Sequence, residues 1–241
     1  TFYRQFLPYI NNNYDFQELL SELLGELNVS HTGARFRPNL GGDETAELGI
    51  FTDWTYEGDG LKVSEVIEGG PFFKAKSKLS PGCVIEKING QNILKGEDYY
   101  GMLNQLAGKN TRLTIANPQT NQRWDEVIKP ISRNDYNDLL YARWIRRNAA
   151  LVEKLSGGRL GYVHLQAMND ESFREIYNDL LGKYNQKEGI VIDTRYNGGG
   201  RLHEDIEVLF SGKKYFTQVI RGKEVCDMPS RRWNKPSIML M

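Results

Sequence analysis

The chain holds three histidines, His31, His164 and His203. An imidazole titrates near neutrality and is therefore the natural general base, so any histidine-dependent chemistry must choose among these. His31 follows a hydroxyl, Ser30. Read as residues alone, the pair is either a surface turn or helix-end cap, or a base with a neighbouring hydroxyl. His164 lies inside an apolar stretch, where a histidine satisfied in the core is expected before a ligand. His203 precedes Glu204 and Asp205 at the start of a helix-like run, where acids suit the positive end of the dipole. It lacks a second histidine four residues on, so a helix-borne zinc pair is not expected.

Two glycine-bearing motifs add to this set. Asn197-Gly-Gly-Gly200 follows an apolar run ending in Asp193-Thr-Arg195 and precedes a helical pattern. Glycines there let backbone N–H groups point outward near a helix start, which suits an oxyanion. The same residues also make a permissive turn. The motif is not GxGxxG and lacks the Lys-Ser/Thr of a P-loop, so a nucleotide is not expected. Glu47-Leu-Gly-Ile50 opens a β-like run. A glycine between apolar residues can present amides to a peptide C-terminus while the strand edge accepts the peptide, although the Glu47 charge opposes a bound carboxylate. Cys83 and Cys226 are far apart, with no CxxC spacing, and read as free thiols. Neither metal nor cofactor is expected.

The 241 residues carry 31 Lys plus Arg and 31 Asp plus Glu, a formal charge of zero. That excludes a strongly basic nucleic-acid footprint and an acidic tail. Apolar residues at 39% and aromatics at 11% exclude a disordered chain. No stretch approaches the roughly 20 apolar residues of a membrane span.

Three textures follow one another. Residues 1–40 read as helical: Asp15 and Glu18 have capping-box spacing, and Phe16, Leu19, Leu20, Leu23, Leu24 and Leu27 share one face. Residues 41–131 read as β-rich, with strands at 48–54, 61–67, 84–88, 112–116 and 124–128 and a helix at 97–107. Residues 132–241 open on a second capping box, Ser132 to Asp135. A helix then carries Leu140, Trp144, Leu151 and Leu155, followed by strand 159–165, helix 171–184, strand 189–194, helix 202–210 and strand 237–241. This alternation predicts βαβ units and a mostly parallel sheet, with ligands outside the carboxyl ends of the strands. The run Lys235–Met241 stops within an apolar pattern and reads as a chain cut inside a strand.

In order along the chain, Gly25-Glu-Leu-Asn-Val-Ser-His-Thr-Gly33, Glu47-Leu-Gly-Ile50, Pro81-Gly-Cys-Val-Ile-Glu-Lys-Ile-Asn-Gly90, Arg143-Trp-Ile-Arg-Arg-Asn148, Gly161-Tyr-Val-His-Leu165 and Gly189–Gly200 resemble the PDZ-containing serine peptidases of the tricorn and C-terminal processing group. Within that group the tricorn core is the nearest likeness. The resemblance implies an α+β and α/β multidomain fold: an N-terminal helical cap (1–40), a PDZ-like domain (41–131) and an incomplete βαβ peptidase core (132–241). It implies that His31 is the general base, that Ser30 orients the imidazole, and that Gly198 and Gly199 serve the oxyanion hole. Leu48, Gly49 and Ile50 would line a peptide site. The nucleophile of this pattern is a different serine, beyond Met241, so the 241-residue chain is expected to be inactive and its parent a peptidase of polypeptides or oligopeptides. The alternative is a non-catalytic PDZ-type peptide-binding scaffold; a third, distant reading is a carrier of apolar ligands. Self-association through an uncovered sheet edge, or a poorly ordered C-terminal region, is expected. A tricorn likeness implies the cytoplasm; bacterial relatives of the group are often exported.

Overall fold

A computed structural model describes residues 2–38, 41–75 and 77–241. The chain divides into two compact units, residues 1–44 and residues 45–241.

In the first unit a 3-10 helix, Phe2–Tyr9, precedes helix α1, Asn13–Gly25. The cap of α1 is Asn12, whose side chain accepts from the N–H groups of Tyr14 and Asp15. Asp15 is thus not the cap residue; it sits in the first turn and accepts from Asn11 N–H at 2.9 Å. No residue of α1 is buried, and Leu23 on its apolar face stays exposed, as does Leu27 just beyond its end.

The second unit begins with strand β1 (Ile50–Thr52), shorter than the predicted 48–54. Then come β2 (Leu61–Val66), the single-turn helix α2 (Pro71–Lys74), β3 (Val84–Ile88), β4 (Gln91–Asn92), β5 (Thr111–Asn117) and β6 (Gln122–Ile128). These strands form one antiparallel sheet in the order β1-β2-β3-β5-β6, with β4 on β3. Leu48, Ile50, Val63, Phe72, Ile85, Leu103, Leu113 and Ile115 close its core. The expected helix 97–107 is only a 3-10 turn, Tyr100–Leu103. Gly101 weakens a helix there. Asn104 leaves helical geometry (ψ 130°), accepting from Thr45 Oγ1 at 2.7 Å, and Gln105 has φ +57°.

Helix α3 (Arg133–Leu155) carries the predicted capping box in full, with Ser132 and Asp135 bonded reciprocally. Its last apolar positions, Leu151 and Leu155, are exposed. Strand β7 (Leu160–His164), helix α4 (Asp170–Asn178), a π-helical turn Asp179–Lys183, strand β8 (Gly189–Asp193) and helix α5 (His203–Ser211) follow. An antiparallel hairpin, β9 (Phe216–Ile220) and β10 (Lys223–Met228), precedes β11 (Ser237–Leu240). Strands β11, β8 and β7 lie side by side and parallel. A second core, including Val163, Leu165, Ile176, Leu180, Ile190, Ile192 and Trp233, packs on this sheet.

Candidate active site

The carboxyl ends of β7 and β8 build a polar centre in an otherwise apolar sheet. The register sets His164 beside Asp193. Asp193 is fully buried, and a buried carboxylate must be paired. Its Oδ2 accepts from Tyr162 OH at 2.7 Å and from Arg195 Nη2 at 2.6 Å. Its Oδ1 accepts from Arg195 Nε at 2.9 Å and from the Arg195 N–H at 3.1 Å. The Arg195 guanidinium, above all, holds the Asp193 carboxyl down at about 2 against the cost of burial. The Tyr162 phenol is pushed up by its own burial and by the Asp193 carboxylate. Asn148 Nδ2 donates to Tyr162 OH at 3.1 Å, and Arg195 lies over the Trp144 ring at 5.6 Å, so α3 braces the centre from behind.

His164 is satisfied on both nitrogens, as its apolar setting predicts. Nε2 lies 2.8 Å from the Arg195 carbonyl oxygen, which can only accept, so Nε2 carries the proton. Nδ1 then accepts from Tyr141 OH at 2.7 Å. Both bonds are structural and tie the chain just before the glycine loop to β7 and α3.

The loop itself is pinned to the segment after β7. Asn197 Nδ2 donates to Leu165 O at 2.8 Å, Gly198 N–H to Gln166 O at 2.8 Å, and Gly199 N–H to Asn197 Oδ1 at 2.7 Å. Met168 N–H donates to Gly199 O at 2.7 Å, and Met168 O accepts from both Arg201 and Leu202. The amides of Gly198 and Gly199, expected to face an oxyanion, are therefore engaged, Gly198 with the segment after β7 and Gly199 within the loop. Among the described residues, Gly200 is the glycine of the loop whose N–H donates to no other group.

Ser30 and His31 belong to the first unit, in an exposed turn. His31 has φ +64°, uncommon for a residue with a Cβ. Side chains of α1 hold the chain that follows: Ser21 Oγ bonds both the N–H and the carbonyl of Ala34, and Gln17 Oε1 accepts from Phe36 N–H at 2.7 Å. Among the described residues no serine hydroxyl is hydrogen-bonded to an imidazole.

Leu48 and Ile50 line a cleft of about 250 Å³ beside β1, whose outer edge is unpaired among the described residues; Gly49 lies between them in the chain but does not line it. Leu48 and Ile50 are buried. Gly49 has φ +70°, and a Cβ there would lie 2.6 Å from Pro71 Cδ, so the turn requires glycine. Tyr99, Tyr100, Leu103 and Tyr136 face the same cleft. The Tyr99 phenol is raised by burial first, then by Tyr100 and the charge of Glu47.

Asp193, Arg195 and Tyr162 carry no role in the sequence motifs. For Asp193 the signal was present: an acid closing a run, Gly-Ile-Val-Ile-Asp, that is otherwise apolar.

This geometry, a glycine loop at the carboxyl end of a parallel strand, lies within the segment that matches Peptidase family S41, residues 159–241. Beyond that segment, nearly the whole chain is tricorn-like. It is 26% identical to the tricorn protease of Thermoplasma acidophilum, over 92% of this chain and 22% of that protein. It is 29% identical to tricorn protease homolog 1 of Streptomyces coelicolor, over 84% of this chain and 19% of that protein. The crystal structure of the tricorn protease superposes with a TM-score of 0.74 at 23% identity, covering 98% of this chain and 24% of that one; this likeness is one of fold. The chain spans about a fifth of the length of these two relatives.

Proposed function

We propose that this chain forms the base-bearing and oxyanion-bearing part of a serine peptidase that hydrolyses polypeptides or oligopeptides through an acyl-enzyme. The observation that carries the reading is the relation of β11 to the glycine loop. Leu240 O accepts from both the N–H and the Oγ1 of Thr194, each at 2.9 Å. A serine placed just past Met241 would thus emerge at the end of the sheet where Asn197–Gly200 lies. In this reading His31 takes the proton from that hydroxyl as it attacks the carbonyl, and returns it to the leaving amine. Ser30 orients the imidazole. Oxyanion donors come from the loop: Gly200 N–H has no acceptor among the described residues, and Gly198 and Gly199 would act by exchanging their present bonds for the substrate oxygen.

The division into helical cap (1–40), PDZ-like domain (41–131) and peptidase core (132–241) belongs to this proposal. The open edge of β1 and the cleft at Leu48–Ile50 support an extended peptide added as a strand, with its terminus toward the cleft. The same cleft supports the second reading, a non-catalytic peptide-binding scaffold.

A fluorophosphonate serine probe separates the two. The expected result is no labelling of the 241-residue chain and labelling of the protein extended past Met241. In the extended protein His31→Ala should lower peptide turnover by about 10²–10⁴-fold, the usual worth of a general base. Labelling of the shorter chain at any serine would overturn its inactivity. A His31→Ala protein within about tenfold of wild type would remove His31 from the mechanism. An unlabelled, inactive extended protein that still binds peptide would favour the scaffold.

A further inference from the structure

Glu47 lines the cleft described above and directly precedes Leu48–Ile50 in the chain. Its own backbone is locked to Ile131 by a reciprocal pair of hydrogen bonds, 2.8 Å from Glu47 N–H and 2.9 Å from Ile131 N–H. That pairing brings the first residue of α3, Arg133, to the Glu47 side chain, and the two form an ion pair. The arrangement is asymmetric. The Glu47 side chain is only 19% exposed, whereas Arg133 is 69% exposed and lies over the Tyr136 ring at 5.8 Å. A largely covered carboxylate therefore already occupies a cation that lines the cleft. Among the described residues Arg133 is the only cation paired with Glu47.

We propose that Arg133 is the receptor for the terminal carboxylate of a peptide in this cleft, and that Glu47 is its built-in competitor, so that the cleft is closed to free C-termini until Arg133 leaves Glu47. The inference rests on the reading of the cleft as a peptide site and adds how it is regulated. Two acceptors compete for one guanidinium. A ligand must displace Glu47 and then tolerate its charge, and removing that charge removes both costs. The apolar lining from Leu48, Ile50 and Leu103 selects a ligand whose last side chain is aliphatic.

The test uses the 241-residue chain and a fluorescein-labelled peptide ending in Leu-Val, prepared as the free acid and as the C-terminal amide, read by anisotropy. Glu47→Gln should tighten the free acid by at least about tenfold and leave the amide within about twofold, because only the acid competes for Arg133. Glu47→Asp, too short to hold Arg133 in place, should act in the same direction and guards against a folding defect in the first variant. Adding Arg133→Gln to Glu47→Gln should cancel the gain. An unchanged affinity for the acid in both Glu47 variants, with peptide still bound, would overturn the competitor role and leave the cleft intact. An equal gain for acid and amide would overturn carboxylate capture. No binding of either peptide to any variant would overturn the peptide site itself, and this inference with it.

Discussion

Asp193→Asn isolates the polar centre at the end of β8. The wild-type carboxylate has its pKa lowered from an ordinary 3.8 to about 2, first by Arg195 and then by Tyr162. Its side chain is fully buried while Arg195 is 43% exposed, so the acid is shielded from solvent and its partner only in part. A difference of that size, at about 1.4 kcal/mol per tenfold, corresponds to roughly 2 kcal/mol of folding stability. A folded pKa below the unfolded one gives stability that is fully present above the unfolded value and is lost as pH falls through the folded value. For Asp193 the contribution is therefore whole near neutrality, and is lost from about pH 5 down to about pH 2. Asparagine keeps an acceptor for Tyr162 but turns an amide toward the guanidinium. Asp193→Asn should thus unfold about 2 kcal/mol more readily in urea near neutrality, and the gap to wild type should close as the pH is lowered toward about 2. The difference between the two proteins is the useful quantity, because Asp53, also held at about 2, adds to the acid sensitivity of both. A gap that stays constant from about pH 7 to about pH 3 would refute the charge-pair account and assign the loss to packing.

The glycine loop and the histidine behind it give two more expectations. At Gly200, with φ +140°, a Cβ would sit 2.6 Å from the Met168 carbonyl carbon and closer still to its oxygen. Gly200→Ala should cost about 1–3 kcal/mol or more, read as a lower urea midpoint, and a change within about 0.5 kcal/mol would mean the loop is not held against Met168. His164 should be a single Nε2–H tautomer, shown by one fixed pair of ring nitrogen shifts in long-range proton–nitrogen spectra. Averaged shifts, or a proton on Nδ1, would contradict the bonds to Arg195 and Tyr141.

The elements legible in the sequence were those whose local signals agree. Strand β3 matched over its full length because Val84, Ile85 and Ile88 end at Asn89-Gly90, both with positive φ. Helix α3 began where Ser132 and Asp135 placed it. The helix expected over 97–107 shrank because its spacing of Tyr99, Leu103 and Leu106 serves a core around a 3-10 turn, and Gly101 offers no helical preference. Hairpin β9–β10 has little local signal, since its two-residue turn, Arg221-Gly222, has only one of the residues that favour positive φ, and both adopt it. The α1 cap shifted to Asn12 because a run of asparagines offered an earlier one. At the site, glycines and histidines stood out by type. Arg195 and Arg133 did not, because a surface arginine and a pairing arginine read alike until the fold supplies Asp193 and Glu47.

Helix α3 has 23 residues, a strut of about 35 Å at roughly 1.5 Å per residue. From its first residue to just past its middle it grips the antiparallel sheet and the chain flanking it: Arg133 holds Glu47, Arg143 holds Glu65 through two nitrogens at 2.5 Å, and Arg146 reaches Glu68 at 3.2 Å. From the same helix, Tyr141, Trp144 and Asn148 prop His164, Arg195 and Tyr162. Arg143 and Trp144 are adjacent, so the fastening to one sheet and the prop under the other share a single turn. A hinge between the two sheets has no place to form inside that turn without breaking helical hydrogen bonds. Arg133 lines the cleft at the start of α3 and Trp144 meets Arg195 near its middle, so the cleft and the chain before the glycine loop are held apart by about 17 Å of one continuous helix rather than by the loops around it.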